Sequence, residues 1–336
     1  MSGPRHRLSL RNWVSGRACK RCRRLVAAGL GRLALHGLSW LPRRAVHVAG
    51  GLVGTLIWAL AVRSRRLASA NLERALGGEF DARVRRRIVR RMFTHFARTF
   101  LDIVVMHRWG PRRVHDRIVV HGWPEYEARM SGVLSEGRGA IGLSGHLGNW
   151  ELLACRGSHE WGDQLRCVAK RYRYAPYNDL VERVRTGLGV KVIYQDESPR
   201  LLVRLLRSGG LLALLPDQDA KKVHGLFTDF FGHTAYTPSA PASLCLRLGA
   251  PIVPSFVVRE GLEYRVLALE PIRPEEAAGA EDPVLWLTRR WTTVLEDAIR
   301  RYPEQWVWTH RRWRSTPEMV DRRRRAEPLA RMARER

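Results

Sequence analysis

One short stretch places an imidazole and a carboxylate at a spacing suited to proton transfer. Residues 141–151 read Ile-Gly-Leu-Ser-Gly-His-Leu-Gly-Asn-Trp-Glu. His146 and Glu151 stand five positions apart. In one unbroken helix they would point ~140° apart around the axis. They can meet only if His146 lies in a turn before the helix and Glu151 in its first turn. Gly145 and Gly148 permit such a turn, and Asn149 is a suitable N-cap. So arranged, the carboxylate holds the imidazole in one tautomer and stabilises the imidazolium, while the other ring nitrogen takes a proton from a hydroxyl. Taken alone, the stretch fits a structural histidine equally well. Ser144 and Cys155 lie nearby and are weaker candidates for a covalent nucleophile. The helix start near Gly148–Asn149 offers free backbone N–H groups to an oxyanion or a phosphate.

A second group is Asp217 and Asp219, which flank Gln218 at the end of an apolar run. A metal would need further acidic or histidine ligands at spacing, and the sequence shows none there, so the pair reads as loop-organising carboxylates. Cys19 and Cys22 form a CxxC pair with no second pair, which makes a zinc site a weak reading. The five scattered cysteines fit a reducing compartment. The stretch Gln305–Trp313 carries three tryptophans with His310, Arg311 and Arg312. It reads as a packed C-terminal element, as a basic, aromatic rim at a lipid interface, or as both at once.

These groups need a scaffold. From about Gly139 short apolar runs (Ala140–Leu143, Leu165–Ala169, Lys191–Tyr194, Leu211–Leu215, Ile252–Val258, Tyr264–Leu267) alternate with helical stretches (Leu201–Arg207, Pro241–Leu248, Val284–Arg301). That alternation predicts an α/β fold, a mixed β-sheet sandwiched by helices. Residues 64–109 read as helices. Before them stand a basic segment, 1–24, and two apolar stretches, Leu25–Leu41 and Val46–Val62, each about 17 residues and at the short edge of what spans a bilayer. Arg32 and His36 share one face of the first; arginines flank both ends of the second. The expected outcome is a membrane-associated helical N-terminus lying in or dipping into one leaflet. The tail from Asp321 is Arg-rich and apolar-poor.

Charge narrows the partners. Lys and Arg number 59 against 32 Asp and Glu, a net +27, so an anionic partner is expected. No zinc-finger spacing, basic zipper or RNA-binding aromatic signature is present, and the apolar N-terminus does not suit nucleic acid. A basic membrane-binding scaffold without activity would also explain the charge. A lipid hydrolase is disfavoured by the lack of a Gly-x-Ser-x-Gly elbow.

The stretch Ser144-Gly-His-Leu-Gly-Asn-Trp-Glu151 resembles the His-x4-Glu block of the glycerolipid and lipid A acyltransferases, and is closest to the bacterial lipid A biosynthesis late acyltransferase family, which includes phosphatidylinositol mannoside acyltransferases. Further landmarks agree in order: Leu215-Pro-Asp-Gln-Asp219 with Phe230-Phe-Gly232 and Thr237-Pro238, then Ala250–Pro254, then Gln305–Trp313. The resemblance covers roughly residues 40–317. It implies direct acyl transfer from an acyl-carrier protein or acyl-CoA to a hydroxyl of an anionic membrane glycolipid, most simply a lipid A precursor, with a mannolipid or lysophospholipid as alternatives. His146 would be the general base and Glu151 its orienting partner, with no cofactor, no metal and no acyl-enzyme. Asn149, Asp217 and Asp219 would line the substrate site. Where family members carry an arginine after the strand that follows the catalytic helix, this chain has Lys170, with Arg171 and Arg173 beside it, and these three are the candidate contacts for the acidic donor. The implied location is the inner membrane with the catalytic domain facing the cytoplasm. The implied division is a basic, anchoring segment 1–62, a catalytic domain 63–317 and a tail 318–336.

Overall fold

A computed structural model describes Gly37 and residues 40–172, 174–219 and 223–322. The basic segment 1–24, the Cys19–Cys22 pair, most of Leu25–Leu41 with Arg32 and His36, Arg173, and the tail beyond 322 lie outside the described residues.

Helix α1 (Arg43–Leu60) is followed by α2 (Val62–Leu76) and the long α3 (Ala82–Arg117). Asp81 caps α3 by accepting from the Val84 amide, and Gly110, in the left-handed region ahead of Pro111, kinks it. Helix α1 packs along α3 at close range because Gly50 and Gly54 have no side chain. A methyl group on Gly54 would stand 2.4 Å from the Cα of Thr94. The opposite side of α1 is bare: Val48, Leu52, Leu56 and Leu60 are all exposed. Among the described residues no single helix is long and apolar enough to cross a membrane; α1 and α2 meet that measure only as a pair, bent by 91°.

The sheet has seven strands in the order β1-β9-β8-β2-β5-β3-β4. They are β1 (Val120–His121), β2 (Ala140–Leu143), β3 (Leu165–Ala169), β4 (Val192–Tyr194), β5 (Leu211–Leu214), β8 (Ile252–Glu260) and β9 (Glu263–Ala268). All neighbours are parallel except β8–β9, so the sheet is mixed, as the alternation of elements predicts. Side chains alternate across it. Ile141, Leu143, Leu212, Leu214 and Phe256 enter one core, where they meet Trp291 and Leu295 of α9 (Pro283–Arg301), Ala242 and Cys245 of α8 (Ala240–Leu248), Leu206 of α7 (Arg200–Arg207) and the first half of α3. Ala140, Leu211, Val253 and Val257 enter the other, against α4 (Trp123–Ser135), α5 (Trp150–Trp161) and the second half of α3. Helix α6 (Ala175–Gly187) buries none of its residues.

The sequence reading omits the hairpin of β6 (Gly225–Phe230) and β7 (His233–Pro238). Its turn, Phe231-Gly232, has positive φ at both residues, the twist-matched geometry of a two-residue hairpin. Phenylalanine is a rare first residue for such a turn. Glu296 holds it by accepting the Phe231 amide at 2.9 Å.

Candidate active site

Strand register brings the chemistry together. Strands β2 and β5 are parallel neighbours, with Leu143 opposite Leu214. Each chain then runs three residues past its strand end, to His146 on one side and Asp217 on the other. The two side chains therefore meet at the carboxyl edge of the sheet, where open α/β folds place their sites. His146 Nδ1 lies 2.7 Å from Asp217 Oδ1, and the His146 backbone N–H donates to Oδ2 of the same carboxylate at 2.8 Å. Trp306 Nε1 donates to Oδ2 at 2.9 Å. Burial raises the Asp217 carboxyl, but the charge and hydrogen bonds of His146, helped by Trp306, outweigh it and bring it down to about 2. Asp217 is an ionised acceptor over any working pH. Nδ1 must then carry a proton toward it, which leaves Nε2 as the basic nitrogen. Asp217 is fully buried while His146 keeps about a quarter of its side chain open. The Trp150 ring stands edge-on to the imidazole, 4.9 Å away.

The local turn forms as the spacing requires. His146 precedes the helix, Asn149 is the N-cap and accepts from the Leu152 amide at 3.0 Å, and Glu151 lies in the first turn of α5. Gly148 is obligatory: its φ is +68°, and a methyl group there would sit 2.0 Å from the Val257 carbonyl. The expected partner of the imidazole is corrected, however. Among the described residues its carboxylate contact is Asp217, and Glu151 faces away to Arg185 of α6, whose Nε lies 3.2 Å from both carboxylate oxygens. Burial lowers the Arg185 guanidinium, and Glu151 more than restores it, for a net upward shift. Between them Leu147 and Gly148 bridge to Trp306 and Val257 before the helix begins at Trp150, so five positions of separation do not make them neighbours. Asp217, expected only in the site wall, is the nearer group. Arg185 carried no signal in the sequence beyond being one arginine among many.

The remaining candidates divide. Asn149 is fully buried and donates to the Tyr264 hydroxyl at 3.1 Å. Asp219 spends its carboxylate on Arg314 at 3.0 Å, the Ser315 amide at 2.7 Å and the Ser315 hydroxyl at 2.9 Å. Both aspartates are thus occupied by protein donors, Asp217 by the His146 turn and Trp306, and Asp219 as a loop anchor. Lys170 and Arg171 are exposed beyond β3; Arg171 pairs with Asp196 and Glu197 and stacks on Tyr194. Cys155 is fully buried, with its thiol pushed by burial up to about 12, and Ser144 is buried behind the turn. Neither is placed as a nucleophile.

Much of the Gln305–Trp313 stretch is packed inside, where its polar atoms serve the site from behind, while Arg311 is exposed. Trp306, Trp308 and Arg312 are fully buried. Gln305 accepts the Gly148 amide through its carbonyl at 3.0 Å. His310 Nε2 accepts the Asp219 amide at 3.0 Å, and burial lowers its imidazole, so it is neutral. Arg312, brought by burial down to about 10, donates to the Tyr236 carbonyl and the Thr237 hydroxyl at 2.6 Å each.

Residues 20–315 match the profile of the family described as bacterial lipid A biosynthesis acyltransferase. The chain is 25% identical to the lipid A biosynthesis lauroyltransferase of Escherichia coli K12 over 299 residues, 85% of this chain and 92% of that protein. It is 23% identical to the lipid A biosynthesis myristoyltransferase of the same organism, over 84% of each chain. It is 26% identical to the phosphatidylinositol mannoside acyltransferase of Mycolicibacterium smegmatis over 185 residues, 54% of this chain and 58% of that one.

Proposed function

The chain belongs to the bacterial lipid A biosynthesis acyltransferase family, and from that premise we propose that it moves a fatty acyl group from an acyl thioester to a hydroxyl of an anionic membrane glycolipid, with His146 as general base. The observation that carries the mechanism is the His146–Asp217 pair at 2.7 Å, with a buried carboxylate behind a partly open imidazole. Asp217 holds Nδ1 and stabilises the imidazolium. Nε2 takes the acceptor's hydroxyl proton as that oxygen attacks the thioester carbonyl. The proton then passes to the leaving thiolate as the tetrahedral intermediate collapses. Glu151 keeps the Arg185 guanidinium beside the site, a fixed cation for an anionic substrate group. No metal is invoked, since Asp217 and Asp219 already spend their oxygens on protein donors.

Among acceptors, a lipid A precursor is favoured over a mannolipid. The lipid A relatives align over most of this chain, the mannoside relative over about half. The donor is an acyl-carrier protein or acyl-CoA; both are acidic and suit a chain of net charge +27. We place the enzyme on the inner membrane, catalytic side toward the cytoplasm, held by residues 1–62, with 63–317 catalytic and 318–336 a basic tail. The exposed apolar face of α1 and the arginines after its bend suit a helix lying in the interface.

The test is thioester turnover with a glycolipid acceptor in mixed micelles. His146→Ala should lower the rate at least ~10²-fold with the fold intact, and a chelator should leave wild-type turnover unchanged. Near-normal turnover by folded His146→Ala would remove the mechanism.

A further inference from the structure

Beneath the His146 turn lies a buried polar circuit that direct proton transfer does not use. Three residues on one face of α3, His95, Thr99 and Asp102, point into it, and all are buried. His95 Nε2 is 3.1 Å from the Gly148 carbonyl. A carbonyl only accepts, so this nitrogen carries the proton and the ring is a donor. The Gly148 amide donates to the Gln305 carbonyl at 3.0 Å. The Gln305 side chain grips the backbone of Arg259 at both ends, at 2.8 and 3.0 Å. The Arg259 guanidinium returns to α3, reaching Asp102 at 2.7 Å and Thr99 at 3.4 Å. The circuit closes on the peptide two residues beyond His146. A second arm holds the next residue: Asn149 donates to the Tyr264 hydroxyl at 3.1 Å, and that hydroxyl donates to Asp102 at 2.5 Å.

Neutral donors suit this place. Arg259 already supplies a cation, balanced by Asp102. Burial, with Arg259 next, lowers the His95 imidazole to about 3, so it does not charge. Gly148 adopts positive φ pressed against Val257, a backbone that needs restraint from its surroundings. Gln305 restrains its N–H and His95 its C=O.

We infer that His95 and Tyr264 are positioning residues for His146, which aim the imidazole by fixing the peptides of Gly148 and Asn149 from α3. The inference rests on the reading of His146 as general base. A general base misplaced by about an ångström loses rate, not binding.

The test compares His95→Leu, His95→Gln and Tyr264→Phe in the full-length enzyme, with turnover, donor KM and melting temperature measured in the same micelles. His95→Leu removes the donor, and kcat should fall about 10-fold to 10²-fold with donor KM within about twofold. The amide of His95→Gln can still donate to the Gly148 carbonyl and should recover most of that loss. Tyr264→Phe keeps the ring and cuts the Asn149–Asp102 link; kcat should fall about 10-fold. If the two His95 variants lose melting temperature alike while kcat of both stays within about twofold of wild type, their role is packing alone and the inference fails. If His95→Leu does not fold, Tyr264→Phe decides: unchanged kcat overturns the inference. His146→Ala runs alongside. An active His146→Ala defeats the mechanism itself, whereas an inactive one beside normal His95→Leu and Tyr264→Phe enzymes defeats only the positioning role.

Discussion

The carboxyl edge of β2 and β5 and the outer rim formed by α1, α6 and the Lys170 loop are built on opposite terms. At the strand edge both oxygens of Asp217 are occupied and its carboxylate is fully buried. On the rim, Leu60 is 72% exposed, α6 buries no residue, and the ion pairs of Arg171 sit in solvent. Charges at the edge act in low dielectric with their geometry fixed; those on the rim are screened and free to move. On the proposed function, the edge is where bonds are made and the rim is where substrates and membrane are met.

The sharpest way to break that contrast is to compare the two carboxylates. Asp217→Asn cannot accept two N–H groups from His146 and one from Trp306, and it favours the wrong imidazole tautomer, so kcat should fall ~10²-fold to 10⁴-fold. Glu151→Gln keeps the shape facing Arg185 and should cost only about 10-fold, through looser positioning. Because the Asp217 carboxyl sits at about 2, its ionised form and the stability it contributes persist above its unfolded value near 3.8 and are lost only as pH falls toward 2. Equal losses in the two variants, or the reverse order, would return the orienting role to Glu151.

That comparison also marks how far the sequence could be read. The strands of the large sheet from β2 onward were legible because each is a short apolar run bounded by turn residues; Ala140–Leu143 and Leu165–Ala169 fall where predicted, whereas the more polar β6–β7 hairpin was not. The turn at His146 was legible because Gly145 and Gly148 permit it and Asn149 suits the N-cap that follows. The His146–Asp217 contact was not: it spans 71 positions and depends on β2 pairing with β5, a choice no local pattern encodes. His95 was hidden for a similar reason. It lies within an apolar periodicity on α3 and reads as a core position until Gly148 is seen beside it. Arg185 was masked by the abundance of arginine. The three tryptophans of Gln305–Trp313 were visible, but only the fold decides that Trp306 serves Asp217 rather than a lipid.

On the rim, the first expected effect concerns α1. Replacing Leu52, Leu56 and Leu60 together by Ser strips the bare face while leaving Val46, Gly50 and Gly54 packed on α3. Binding to vesicles containing phosphatidylglycerol, read by co-sedimentation, should weaken about 10-fold or more, since each immersed Leu contributes roughly 1.5–3 kcal/mol. Melting temperature should barely move. A large drop in melting with unchanged vesicle binding would show that this face is covered within the protein.

The smallest expected effect belongs to Lys170, Arg171 and Arg173. An acyl-carrier protein or CoA brings negative charge to a chain of net +27, and attraction between exposed charges fades beyond a Debye length of about 8 Å at physiological ionic strength. Donor KM should therefore rise with salt, while kcat at saturation changes little. Neutralising the three residues to Gln should raise donor KM by about threefold at low salt and flatten its salt dependence. Lys170 should account for most of this. It is exposed beside the end of β3, whereas Arg171 already shares its charge with Asp196 and Glu197 and lies flat on Tyr194, 3.7 Å from the ring centroid. A single Lys170→Gln variant then separates steering from mere solvation of the face. If its donor KM and salt slope match wild type in detergent, where no membrane charge intervenes, the donor docks elsewhere on the rim, and Arg185 beside Glu151 becomes the cation to neutralise next.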